Sequence, residues 1–246
     1  MQYGRIIFAI GVIALAVICI ISKDFIVGRP SAWPSTFNAN PALAYVSATL
    51  LIISSLGIVF QRKAFLSSLV IAVLILLLSV FRHLSHFMED WLNTYKAIAL
   101  LGGSLIIAAT FCNEGKAKKY FVIVGVLSLS IFFIASGYAH FKFADFVKNF
   151  IPAYIPFHGF WAYFCGTCLF LGGIGLLIPQ TAKWASLLSG IMVMGWFVLL
   201  HIPRFIADTS NASDRMGLCE SFTFAGIFFA LAGLLSEKNN SSVKTV

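Results

Sequence analysis

Apolar runs of about twenty residues recur eight times along this chain, each long enough to cross the hydrocarbon core of a bilayer as a helix. They extend from Ile6 to Ile21, Ala42 to Phe60, Ala64 to Phe81, Tyr95 to Phe111, Tyr120 to Tyr138, Gly159 to Ile178, Trp184 to Ile202 and Met216 to Leu235. Pro, charge or polar clusters interrupt them. The predicted class is therefore all-α, a polytopic membrane protein of eight transmembrane helices. Composition excludes the alternative: 60% of residues are hydrophobic, 11% are charged and 25 are Phe. Soluble domains are about half apolar and a quarter charged. The first run follows Arg5, but no small-residue cleavage site of the A-x-A kind follows it, so it reads as a retained helix. Ile18 directly before Cys19 argues against lipoprotein processing.

Charge sets the expected orientation. The N-terminus, alternate loops and C-terminus carry Arg5, Arg62, Lys63, Lys116, Lys118, Lys119, Lys183, Lys238 and Lys244, opposed only by Glu114 and Glu237. These residues sit in short segments against helix ends, where positive charge is retained in the cytoplasm. Both termini are expected there, in a bacterial inner (plasma) membrane. The net charge of +8 then needs no nucleic-acid partner, because anionic headgroups of the lipid bilayer account for it.

Shifting the sequence by 118 residues against itself, from Phe25 to Asn93, matches 15 of 69 positions. The matches include scarce residue types: Pro34 with Pro152, His83 with His201, and Asp90 with Asp208. This predicts two four-helix repeats, 1–118 and 119–246, which are parallel because an even number of helices returns each copy to the side it entered from. The loops between helices 1 and 2 and between helices 5 and 6 are long. In the second of these, Phe143, Phe146, Val147, Phe150 and Ile151 recur at helical spacing, the pattern of a short interfacial helix.

Ionisable groups near hydrocarbon are costly and mark candidate sites. His83, His86, His140, His158 and His201 all fall on the outer side, with Arg82, Lys142 and Arg204. As a cluster they read as a mouth that binds an anionic or quinone-like ligand, with His exchanging protons. Taken singly, each reads more economically as an interfacial anchor. No H-x-x-x-H or HExxH spacing occurs, so no metal site is expected. Cys165-Gly166-Thr167-Cys168 places two thiols as neighbours on helix 6. Such a pair can exchange with disulfides and pass electrons to a quinone, or it can pack as two small apolar side chains. The repeat copy has Ser47 and Leu50 there. Gly172-Gly173-x-Gly175 and Gly102-Gly103 read as close helix contacts. Glu220 is the acid expected to face the interior, with Arg204 or His201 as its partner.

Gly137, Lys142, the loop from Phe146 to Pro156, Gly172-Gly173 with Leu176-Leu177, Ala182, Ala185 and His201 resemble the DoxX/DoxD-like membrane proteins. The resemblance runs from Phe121 to Leu235 and more faintly through Gly57, Ala64 and His83 of the first copy. It implies tandem four-helix bundles and, from some members, a quinone-linked redox or thiol-oxidation subunit. Quinone would be the cofactor and a membrane or periplasmic redox protein the partner. Cys165 and Cys168 would form the thiol pair, and His83, His140, Lys142, His158, His201 and Arg204 would surround the ligand. The family's acidic residue before Gly-Gly is absent: Cys168, Leu169, Phe170 and Leu171 stand there. Two other readings compete, a non-enzymatic lipid- or partner-binding assembly protein and a small-solute transporter. Transport would need a polar path, and polar residues between Gly159 and Ile178 are few.

Overall fold

The computed structural model describes residues 1–29, 31–35, 37 and 40–243, with side chains described as far as Glu237. Lys244 and the side chain of Lys238, used in the charge argument, lie outside the described residues. Among the described residues every regular element is helical. The helices are α1 (Gln2–Ser22), α2 (Pro41–Val59), α3 (Ala64–Leu84), α4 (Trp91–Ala109), α5 (Lys116–Lys142), α6 (Ala144–Phe150), α7 (His158–Leu177), α8 (Ala182–Ala207) and α9 (Ala212–Val243). All but α6 are long and apolar enough to cross a membrane, eight in number as the sequence predicts. The chain is an integral membrane protein on that ground. The short α6 falls on the amphipathic segment of the long loop.

Helix neighbours follow the chain: α1 packs on α2, α2 on α3, α3 on α4, and then α5 on α7, α7 on α8, α8 on α9. Three further contacts close the bundle, α4 on α5, α9 on α1 and α4 on α9. Lipid offers no hydrophobic drive for helices to associate, so close backbone approach has to supply the packing energy. The α1–α9 contact shows it. A Cβ on Gly226 would stand 2.3 Å from the backbone nitrogen of Phe8, and one on Gly4 would stand 2.3 Å from that of Ala230. The glycines of α4 and α7 singled out in the sequence act likewise: Gly102 abuts Ser128, Gly103 abuts Ile227 and Gly173 abuts Ser130 and Ile134.

The start of α1 and the far end of α9 lie at one end of the bundle, where Met1 packs against Gly233. Arg5 there donates from Nε to Thr110 Oγ1 at 2.8 Å and stacks on Phe111, tying the start of α1 to the end of α4. The opposite end carries all five histidines and is called the histidine end below.

Two helices run further toward that end than their apolar stretches suggest. The sequence ends the third span at Phe81 and the seventh at Ile202. In fact α3 continues through a π-helical turn at Leu76–Val80 to Leu84, and α8 through one at Phe197–His201 to Ala207. His83 therefore sits within its helix rather than beyond it, and His201 lies inside α8 rather than at its end. What opens the π-turn in α8 is Pro203. It has no N–H to return to the carbonyl four residues earlier, and the freed Leu199 carbonyl accepts from Tyr154 Oη instead.

Each of these helix ends also holds the long loop beside it. Arg82 donates to Asp24 from Nη1 (3.2 Å) and Nη2 (2.9 Å), to the Phe25 carbonyl (2.9 Å) and to the Ser31 carbonyl. Its guanidinium lies 4.1 Å from the Trp33 ring, whose Nε1 also donates to Asp24. Arg204 stacks 4.4 Å from the Phe150 ring and donates to the Phe150 carbonyl at 3.2 Å. An ammonium cannot reproduce a planar fork that serves three acceptors and a ring. Arg82→Lys is expected to cost about 2–3 kcal/mol, measured as a lowered unfolding midpoint in detergent, with loss of protection at Trp33.

The candidate site: a polar seam at the histidine end

Lys96 and Glu220 are the centre of the site. Lys96 lies six residues into α4 and Glu220 nine into α9, and both helices start at the histidine end, so they run parallel. Lys96 Nζ is 2.9 Å from Glu220 Oε2, with the carboxylate side chain 6% exposed and the ammonium side chain 16%. Seven residues further on, Gly103 meets Ile227. Both contacts share the offset 124 (220 − 96 and 227 − 103), so one heptad-spaced seam aligns them.

Around this pair the seam gathers five other side chains. His201 of α8 rests on Gly217 of α9: a Cβ there would stand 2.7 Å from His201 Nδ1 and 3.8 Å from Arg29 Nη2. Arg29, in the loop after α1, donates to the Ser213 carbonyl at 2.7 Å. Its backbone adopts φ 51°, a left-handed conformation that non-glycine residues seldom take. Arg204 pairs with the buried Asp214 through two contacts, 2.8 and 3.3 Å. On the α3 side, His83 is fully buried and its Nε2 donates to the Gly28 carbonyl at 3.2 Å, next in sequence to Arg29. Lys96 lies within electrostatic range of both His83 and His201.

Four buried atoms in this seam have no hydrogen-bond partner: Glu220 Oε1, His201 Nδ1, His83 Nδ1 and Arg29 Nε. Each such atom costs about 1–3 kcal/mol unless something fills its valence, so four converging on one region mark it for a polar ligand. Cations outnumber acids there, with Arg29, Lys96 and Arg204 against Asp214 and Glu220. No group of three or more metal-ligating side chains forms among the described residues.

The sequence-derived candidates divide accordingly. His83, His201 and Arg204 enter the seam, the first two being residues that match under the 118-residue shift. The expected partner of Glu220 is corrected: Arg204 is taken by Asp214, and Lys96 holds Glu220. Arg82 is occupied as the loop anchor. His140 and Cys165 meet elsewhere, between α5, α7 and α8. His140 Nδ1 lies 2.8 Å from the Ser136 carbonyl, its ring stacks 6.2 Å from Trp196, and Cys165 adjoins the same indole. Cys165 and Cys168 are free thiols, both half-buried. His158 opens α7, which packs on α5, α6 and α8. Lys142 ends α5 at the surface.

Sequence reasoning passed over Arg29, Lys96 and Asp214. Lys96 carried a usable signal, since it stands one residue inside the apolar stretch that begins at Tyr95. Asp214 carried another, because it matches Lys96 in the 118-residue register.

A family model described as a domain of unknown function (DUF8561) matches residues 129–213, from the middle of α5 to the start of α9. That segment holds His140, Lys142, His158, Cys165, Cys168, His201 and Arg204, while His83 and Glu220 lie outside it. No curated protein and no solved structure matches the chain.

Proposed function

We propose that this chain is a ligand-binding membrane protein built from two parallel four-helix repeats, and that the seam between them at the histidine end holds a small anionic or quinone-like molecule. The observation that carries the ligand reading is the convergence of Arg29, Lys96, His83 and His201 around buried polar atoms that lack partners. Buried ionisable groups in a membrane bundle are functional candidates by default.

Several features support the duplication. The helix contacts are unchanged when α1, α2, α3 and α4 are exchanged for α5, α7, α8 and α9. Each third helix of a half carries a π-turn toward the histidine end and an arginine holding the preceding long loop. The matched Asp90-x-x-Asn93 and Asp208-x-x-Asn211 both make the turn into the last helix of their half. In the second turn Ser210 donates from Oγ and N to Asp208, holding that carboxyl below its ordinary range. These features fit a pseudo-twofold axis along the membrane normal, with the termini cytoplasmic as the charge distribution predicts. A bacterial inner membrane is the setting this reading assigns to the protein.

A quinone-linked thiol oxidoreductase is the second reading, favoured by Cys165 lying beside Trp196 and His140. In it, two thiols become one disulfide while two electrons and two protons pass to a quinone, giving the quinol.

One preparation tests both. The protein purified in mild detergent is extracted for small molecules and its thiols are trapped before and after adding a quinone. The seam reading expects an anionic or quinone-type molecule to copurify with wild type and to fall at least tenfold in His201→Ala, a loss of about 1.4 kcal/mol or more. Equal recovery from wild type and variant, or recovery of no such molecule, overturns it. Quinone-dependent blocking of Cys165 and Cys168 promotes the redox reading, and thiols indifferent to quinone remove it.

A further inference from the structure

A second site lies outside the seam, on the flank where α5 leaves the bundle. The final turns of α5 present Ile131, Ile134, Tyr138 and Lys142 along one face, and Trp91 and Tyr95 of α4 stand across from them. Between the two helices is an apolar groove of about 490 Å³. Its aromatic wall is continuous, with Trp91 6.3 Å from Tyr95 and 6.2 Å from Tyr138. A second groove, of about 400 Å³, opens on the other side of Lys142, walled by Phe141, Phe143, Phe146 and Tyr163. Lys142 is the residue common to both.

The charge at this junction is positive and uncompensated. Lys142 has no carboxylate partner among the described residues, and its ammonium lies 5.3 Å from the Phe143 ring and 5.8 Å from that of Tyr138. The acid that could have neutralised it, Asp145, is engaged by Lys148 at 2.9 Å. One ammonium therefore stands between an apolar groove and a second groove that four aromatic rings wall and Asp145 also lines. Tyr and Trp collect where one end of a ligand is apolar and the other wet.

We infer that Lys142 is the headgroup site of a two-chain anionic phospholipid, with one acyl chain in the Trp91–Tyr138 groove and the other in the Phe141–Tyr163 groove. Charge complementarity selects the anionic headgroup, because basic pockets at helix ends hold phosphate-bearing lipids. The paired grooves select two chains over one. The site is independent of the polar seam, since none of the seam side chains lines either groove.

The test is native mass spectrometry of the full chain in detergent, titrated with phosphatidylglycerol, phosphatidylcholine and single-chain lysophosphatidylglycerol. Wild type is expected to retain phosphatidylglycerol about fivefold better than phosphatidylcholine. Lys142→Gln should abolish that preference while leaving the unfolding midpoint in place, because the side chain is exposed. Lys116→Gln, an equal loss of charge at the other end of α5, should leave the preference intact. Lysophosphatidylglycerol should bind more weakly than the two-chain lipid. If Lys142→Gln keeps the preference, if Lys116→Gln removes it equally, or if the single-chain lipid binds as well, the assignment is overturned.

Discussion

Lys96→Met is expected to destabilise the protein by about 3–5 kcal/mol, because it strands the Glu220 carboxylate without its cation inside the bundle. Glu220 is 5% exposed and already has one oxygen without a partner, so the remaining charge has no other group to turn to. The double variant Lys96→Met, Glu220→Met should regain most of that loss. Replacing a buried pair by apolar side chains of similar size is often neutral, whereas removing one member is not. Unfolding midpoints of the three proteins in the same detergent make the comparison, and the non-additivity gives the coupling between the two residues. A double variant as unstable as the single one would mean that Lys96 holds more than Glu220. The recovered double variant then serves the ligand question, since the seam reading expects it to fold and to lose the bound molecule.

Gly226→Val should damage the fold by a different route. Its Cβ would lie 2.3 Å from the Phe8 nitrogen, 2.8 Å from Phe8 Cα and 2.9 Å from the Gly4 carbonyl, all of them backbone atoms. No rotamer relieves such a contact, so α1 and α9 must separate. The pairing runs along the whole interface: Gly4 with Ala230, Phe8 with Gly226 and Gly11 with Thr223, each pair summing to 234. Overpacking usually costs about 1–3 kcal/mol, and the upper end is expected where the neighbour is backbone. Gly195→Ala is the control. A Cβ there meets nothing within 4 Å, and exchanging Gly for Ala in a helix interior contributes about 0.5–1 kcal/mol. If Gly226→Val unfolds no sooner than wild type, the α1–α9 contact is looser than the helix spacing shows.

Much of the fold is legible in the chain because lipid imposes a simple rule. Apolar length alone marks each span, and the eight stretches read from the sequence correspond one to one with the eight long helices. Helix ends are less legible. α3 and α8 pass beyond their apolar stretches because Arg82 and Arg204 satisfy loop carbonyls and carboxylates at the histidine end, so charge there does not mean the helix has stopped. Glu220 was recognisable as an interior acid from its place in an apolar run. Its partner was not, since Arg204 and His201 are nearer in sequence and Lys96 is 124 residues away. The 118-residue shift aligned His83 with His201, but no such alignment pointed to Arg29, which reaches the seam from an irregular loop.

Composition, the period of apolar stretches and the distribution of Lys and Arg determine by themselves that this is an eight-span helical membrane protein, because burial in hydrocarbon is a property of each segment taken alone. Which polar groups meet is decided by tertiary structure. Lys96 finds Glu220 because α4 and α9 run parallel at a fixed stagger, and His201 settles beside Arg29 because Gly217 leaves room for both. Those contacts depend on helix crossing and close backbone approach, which act between segments and leave only a faint trace within any one of them.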